Sequence, residues 1–310
     1  MIEVYRGSAN TWECDEMGHM NVRFYVAKMM EGLSELAHQA GLRHVFRDRA
    51  NATLAPRDQH IRFMREALAG KPFVMRACVL EVTETAVHVY QQIDHASGEP
   101  CAAFRTWVDH VDVQSRLPFP WAAAARNALE GLRDIAPEGQ RPRSLDMSLP
   151  PRPSATMAMA DAIGAPTIGR GVVQPQHCDH GGWMMPEFFI GRVSDSISNL
   201  LFNWRKTLAD AAVTRGEPQA RTGGAVLEYR IVYRRWPRTG DRLVIRSALG
   251  QVNEKMNSYV HWILDPDSGE AWCTSEAMAV ALNLDTRKII TAPPEQMEAL
   301  KRSIPGGLTA

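Results

Sequence analysis

Apolar and polar positions alternate along this chain in two similar series of elements. Phe24, Met29, Met30, Leu33 and Leu36 fall at helical spacing and predict a helix from about Val22 to Ala40, closed by Gly41. Ile2, Val4 and Tyr5 mark a short strand ahead of it, over 1–9. A basic, poorly patterned loop runs from Arg43 to Ala55. Four strand-like segments follow: Arg57 to Arg65, Phe73 to Thr83, Ala86 to Asp94 and Ala102 to Val113, separated by turn formers such as Ala69-Gly70-Lys71-Pro72. The second series has a strand at Gly169 to Val173 and a helix from Pro186 to about Thr207. Its strands are Val226 to Tyr233, Asp241 to Leu249, Ser258 to Leu264 and Ala271 to Leu284, and a short helix, Pro294 to Lys301, closes the chain. One long helix followed by an antiparallel meander is an α+β plan, with the helix on one sheet face.

The two series align residue by residue. Cys14-Asp15 lies over Cys178-Asp179, Gly18 over Gly182, Tyr25 over Phe189, and Glu31 over Asp195. Asp94 to Glu99 matches Asp265 to Glu270, and Arg116 matches Arg287. Two copies of this length imply a duplicated domain rather than a repeat array. The expected boundaries are 1–116 and 168–310. Between them, 117–167 reads as a proline-rich linker with one amphipathic helix at Pro120 to Leu132 and an irregular stretch over 134–160. A linker of that length can cross a domain face and let the halves pair side by side.

Composition narrows the function classes. Lys+Arg and Asp+Glu are 35 each, so there is no global attraction to nucleic acid or to an anionic membrane. Five scattered cysteines without a C-x-x-C pair fit a reducing cytoplasm and argue against a disulfide framework. No apolar run reaches membrane-spanning length, and the N-terminus lacks the apolar core of a signal peptide. His177, Cys178, Asp179 and His180 are adjacent, and adjacent side chains diverge, so no metal site is expected. A phosphate-binding glycine loop and a Gly-x-Ser-x-Gly elbow are both absent.

The candidate chemistry sits at the start of each helix. Asp15 stands before a glycine turn at Gly18 and a helix start near Val22. Helix-start N–H groups lack intrahelical partners and favour negative charge, so an acid beside them is a device for hydrating a carbonyl. The structural alternative is a capping Asp before a core helix. His19 reads as a loop anchor or proton carrier, Asn21 as a brace or cap, and Glu31 and Asp195 as helix acids near the site. Arg62/Arg65, Arg234/Arg235/Arg238 and Arg242/Arg246 are candidate phosphate ligands or solvated strand faces. Trp12, Trp183 and Trp204 are candidate walls of an aromatic or cation-binding pocket.

The run Asp-x-x-Gly-His-Met-Asn-x-x-x-Tyr from Asp15 to Tyr25, followed by Glu31, resembles the signature of hotdog-fold thioesterases of the 4-hydroxybenzoyl-CoA thioesterase type. The resemblance covers nearly all the chain except the linker. It implies a tandem hotdog protein whose two halves form an internal pseudo-dimer, either monomeric or further assembled. The implied reaction is hydrolysis of an acyl-CoA thioester, or of an acyl-carrier-protein thioester, with coenzyme A entering only as part of the substrate and no other cofactor. The family's acid falls at Asp15, and by repetition at Asp179. His19, Asn21 and Glu31 are carried as further catalytic positions. Gly18, Met20, Val22, Gly182, Trp183 and Asp195 are carried as substrate-binding ones. The second copy departs from the pattern: His19 becomes Trp183, Asn21 becomes Met185, and Val22 becomes Pro186, which has no N–H. The expectation is therefore an active Asp15 site, with donors among His19 to Val22, and an impaired Asp179 site. A hotdog hydratase or dehydratase and a non-catalytic acyl-CoA-binding module are the competing readings.

Overall fold

The computed structural model describes residues 1–214, 221–292, 294–307 and 309–310. Its ten strands are β1 (Ile2–Ser8), β2 (Ala52–Phe63), β3 (Pro72–Val82), β4 (Ala86–His95), β5 (Pro100–Asp112), β6 (Thr167–Val172), β7 (Thr222–Tyr233), β8 (Arg242–Val252), β9 (Asn257–Leu264) and β10 (Ala271–Asn283). The helices are α1 (Val22–Gln39), α2 (Ala123–Glu130), α3 (Met157–Ala162), α4 (Glu187–Thr214) and α5 (Pro294–Arg302). All ten strands form one antiparallel sheet in the order β1-β3-β4-β5-β2-β7-β10-β9-β8-β6. The order reads the same outward from the centre, so the duplication is visible as a sheet continued from one copy into the next.

The join is the β2–β7 ladder, with Gln59 opposite Ile231 and Ile61 opposite Tyr229. Side chains reinforce it across the seam. Arg230 donates to both carboxylate oxygens of Asp58, at 3.2 and 2.7 Å, and Tyr233 Oη donates to Gln59 Oε1 at 3.2 Å. The pairing satisfies backbone N–H and C=O groups of two strand edges that would otherwise be left open.

The long helices pack on one face of this sheet. In α1 the buried positions Tyr25, Val26, Met29, Leu33, Leu36 and Ala37 recur at helical spacing. Gly32 lets α1 lie close to the sheet, since a Cβ there would meet Met75 Sδ at 2.5 Å and Gln91 Nε2 at 2.8 Å. The same amide nitrogen of Gln91 donates to Met29 O at 2.9 Å. Met29, Met184, Phe188 and Phe189 belong to one core shared by both halves, with Met30 and Met185 packed against it.

Helix α2 of the linker packs into the helix-side core through Leu129, and the later linker covers the opposite face. Ala136 packs against Cys78, Tyr90 and Ala103, while Ala155, Ala160 and Ala165 pack with Trp262. Burial on both faces explains why β4 is buried at eight of its ten positions rather than at alternate ones. Glu228 of β7 fastens the linker by accepting from the backbone N–H groups of Arg143, Ser144 and Leu145 at 2.8, 2.9 and 3.1 Å. The stretch expected to be irregular over 134–160 thus contains the start of α3, whose cap Thr156 accepts from Met159 N. Strand β2 begins at Ala52, five residues before its expected start, because Ala52 to Pro56 pair with Asp112 to Val108 of β5. Among the described residues no helix is long and apolar enough to cross a membrane.

Candidate functional site

Each copy carries the same tight turn before its long helix. In the first, Asp15 N donates to His19 O and Gly18 N to Asp15 O, both at 3.0 Å. In the second, Asp179 N donates to Trp183 O at 2.8 Å and Gly182 N to Asp179 O at 3.0 Å. Gly18 and Gly182 have φ of +81° and +79°, a region glycine enters without steric penalty. The turn is pinned to the sheet side by Met20 N to Ala67 O and, in the second copy, Met184 N to Pro237 O, both at matching positions and 2.8 Å.

Asp15 is only 15% exposed in its side chain. Its Oδ1 accepts from Met17 N at 2.9 Å, and its Oδ2 lies 3.2 Å from His19 Nδ1. Burial pushes its carboxyl up from the ordinary value, opposed by His19 and by the turn amides of Met17 and His19. The amides that hold the carboxylate therefore belong to the turn, not to the helix terminus as the sequence suggested. Helix α1 starts seven residues later and is capped by Asn21, whose Oδ1 accepts from Arg23 N at 3.0 Å. The Asn21 amide also donates to Ser194 Oγ on α4 at 3.0 Å, tying the two helices together.

Of the four amides from His19 to Val22, Met20 N is bonded to Ala67 O and Asn21 N to Glu13 O. The His19 amide faces Asp15. Val22 N has no hydrogen-bond partner among the described residues. The expectation of a fully available donor segment thus narrows to one N–H, at the first residue of α1. In the second copy Trp183 N donates to Asp179 Oδ1 at 3.1 Å, Met184 N to Pro237 O, and Met185 N to His177 O. Pro186, in Val22's place, has no N–H to offer.

Two arginines cross between the halves. Arg116 and Arg287 occupy equivalent turns after β5 and β10, in left-handed backbone at φ 58° and 55°. Each turn is shaped by a side chain at its head: Asp112 Oδ1 accepts from Ser115 N and Asn283 Oδ1 from Thr286 N, at 2.8 and 2.9 Å. From there Arg116 reaches Asp179, forming an ion pair with its Oδ2. Arg116 is 8% exposed, and its guanidinium also faces the rings of Trp183 and Trp236 at 5.5 and 5.0 Å. Arg287 instead bonds Glu66 Oε1 at 3.1 Å and Met17 O at 3.3 Å. Sequence reasoning matched the two arginines but not their crossing, and it missed Glu66. The signal was the mismatch of Glu66 with Trp236 in the alignment.

The remaining expected positions are spread wider. Glu31 and Asp195 lie on exposed faces of α1 and α4. Glu31 lines a recess of about 420 Å³ with His38, Arg43 and Arg47. A larger cavity, about 500 Å³, opens at the junction of the halves beside the second turn, with Arg116, Trp183, Tyr233, Trp236 and Trp272 among its walls. Trp12 is 77% exposed and lines neither recess, and the Trp204 side chain lies outside the described residues. The arginine clusters are engaged in the fold: Arg62 with Gly139 and Arg141 carbonyls, Arg235 with Asp265 and Glu270, Arg242 with Asp267, and Arg246 with Asp161. Arg238 stacks over Trp183 at 3.9 Å. Among the described residues no group of His, Cys, Asp and Glu is arranged to hold a metal ion.

Solved structures with the same fold include an acyl-ACP thioesterase from Bacteroides thetaiotaomicron, 12% identical, covering 89% of this chain and 96% of its own, with a TM-score of 0.62. A putative oleoyl thioesterase from Lactobacillus plantarum is 12% identical over 89% and 94%, with a TM-score of 0.64. The 12:0-ACP thioesterase from Umbellularia californica is 9% identical over 89% and 92%, with a TM-score of 0.63. No curated protein matches the chain. The sequence model of the thioesterase-like superfamily matches twice, over residues 9–129 and 173–300, each match spanning one aspartate turn, its helix and its four strands. The chain belongs to the thioesterase-like superfamily, as a thioester hydrolase of hotdog fold in which the family pattern occurs twice.

Proposed function

We propose that this protein hydrolyses an acyl-CoA thioester to the free acid and CoA, with Asp15 as the acid–base group and Val22 N–H as an oxyanion donor. The halves act as an internal pseudo-dimer, and the first turn is the working site. What supports this is a carboxylate without an arginine partner, seven residues ahead of a helix whose first N–H, at Val22, has no partner among the described residues. Asp15 takes a proton from water as the water oxygen attacks the thioester carbon. The carbonyl oxygen gains the negative charge and is stabilised by Val22 N–H, for which a donor of this kind is worth about 3 kcal/mol. Collapse of the tetrahedral adduct breaks the C–S bond, and the departing thiolate receives the proton held by Asp15. His19, 3.2 Å from the carboxylate, fixes its orientation.

The structural neighbours named as acyl-ACP thioesterases make an acyl-carrier-protein thioester the second reading for the carrier. Thiol release measured over matched acyl-CoA and acyl-ACP panels decides it. Faster release from acyl-CoA supports the first reading, faster release from acyl-ACP the second. Binding without release from either would overturn both.

A further inference from the structure

The duplication supplies an internal control on how the aspartate is kept free. Arg116 and Arg287 sit in equivalent turns, in the same left-handed backbone, and each reaches the opposite half's aspartate turn. One guanidinium has captured the aspartate and the other has not. The backbone offers no reason for this, because both turns carry the same hydrogen bonds. The difference lies at one position in the loops that follow β2 and β7. Arg65 N donates to Cys101 O and Arg235 N to Trp272 O, which fixes Glu66 and Trp236 as equivalents. Trp236 presents only a ring face, 5.0 Å from the Arg116 guanidinium, so the charge is left to pair with Asp179. Glu66 presents a carboxylate, and Arg287 pairs with it instead, 3.1 Å away, while its other nitrogen rests on Met17 O, two residues from Asp15.

We propose that Glu66 is a positioning residue for the hydrolytic reaction: it holds the crossing arginine of the second half away from Asp15 and so keeps that carboxylate free to act as a base. The proposal rests on Asp15 being the acid–base group. It assigns no contact with substrate to Glu66. The Glu66–Arg287 pair is 39% and 46% exposed, a class of ion pair that contributes little to stability, so its removal should leave the fold intact. The titratable groups that bear on Asp15 are Cys14, Glu16 and His19 in its own turn, while Arg287, after β10, reaches that turn at Met17 O and is paired with Glu66, after β2. Deleting the Glu66 charge leaves Arg287, already bonded to Met17 O, to the carboxylates of that turn, Asp15 and Glu16, and pairing with Asp15 would repeat the arrangement seen at Asp179.

The test is a cycle of E66Q, R287Q and E66Q/R287Q, with kcat and kcat/KM measured against pH. E66Q should lower kcat about tenfold or more and move the acidic limb to lower pH, since a guanidinium within reach favours the ionised carboxylate. Added to R287Q, the same substitution should change kcat less than about twofold, the non-additivity expected when one residue acts through another. Equal losses from E66Q in both backgrounds would overturn the proposal, as would full activity of E66Q. Titration of the Asp15 carboxyl by carbon NMR separates this from failure of the hydrolase reading. A lowered Asp15 midpoint in E66Q that returns in the double variant supports the positioning role even if no thioester is cleaved. An unmoved midpoint with an active wild type rejects it alone.

Discussion

The two aspartate turns have one backbone and opposite electrostatic surroundings. Asp179 accepts from Gly181 and Trp183 amides and is neutralised by Arg116. Asp15 accepts from Met17, touches His19, and has its crossing arginine held at Glu66. The amides differ in parallel: Val22 N has no partner among the described residues, whereas Pro186 has no N–H. On the proposed reading, a carboxylate held by turn amides is not by itself sufficient for chemistry. It must also lack a stronger local partner, because an arginine within hydrogen-bond reach occupies the lone pairs a water would use.

The comparison is most directly broken by paired substitutions. Asp15→Asn should reduce kcat by about 10²–10⁴-fold, the span for removing a positioned acid–base group, while Asp179→Asn should change it less than about threefold on the same scale. Equal losses in steady-state hydrolysis would make the two turns equivalent. Arg116→Gln should destabilise the fold by about 2 kcal/mol, somewhat below the loss for breaking a fully buried pair, because Asp179 is 23% exposed. Urea unfolding reads this, and no new hydrolysis should appear, since Pro186 still lacks a donor.

Asn21→Ala should cost about 1 kcal/mol as the loss of a helix cap, with an added loss of the link to Ser194. Met185, its counterpart, should tolerate Ala without a capping loss, so the two melting shifts should differ. The smallest effect is on pH. The Asp15 carboxyl is raised by burial, so its base form is lost at higher pH than for an exposed aspartate. The acidic limb of kcat/KM should lie above about pH 3.9, the ordinary aspartate midpoint, and His19→Gln should raise it further by removing the group that favours the anion.

Much of the fold was legible because it is written in local periodicity. The α1 face, the four strands of each copy and the repeat alignment all follow from apolar spacing and turn residues. The beginning of β2 was not, since Ala52 to Pro56 lacks alternating β-branched residues and is held by pairing with β5. The seam between β2 and β7 was also hidden, because edge pairing is a backbone event with little side-chain signature. At the site, Asp15, Gly18 and Asn21 stood out by type and spacing. The crossing arginines did not, because Arg287 and Met17 are 270 positions apart and nothing local to either announces the other. The commitment of Met20 and Asn21 amides was likewise invisible, being decided by the Ala67 and Glu13 carbonyls.

The continuous seam has a consequence for how such a molecule can change. Were the halves separate identical chains, any replacement near one acid would appear at its mate as well, and a tryptophan in place of Glu66 would stand beside both. Joined through β2 and β7 in a single polypeptide, the halves are free to diverge: one keeps Glu66 and Val22 where the other carries Trp236 and Pro186, and the second half lends Ser194 to its neighbour's helix cap.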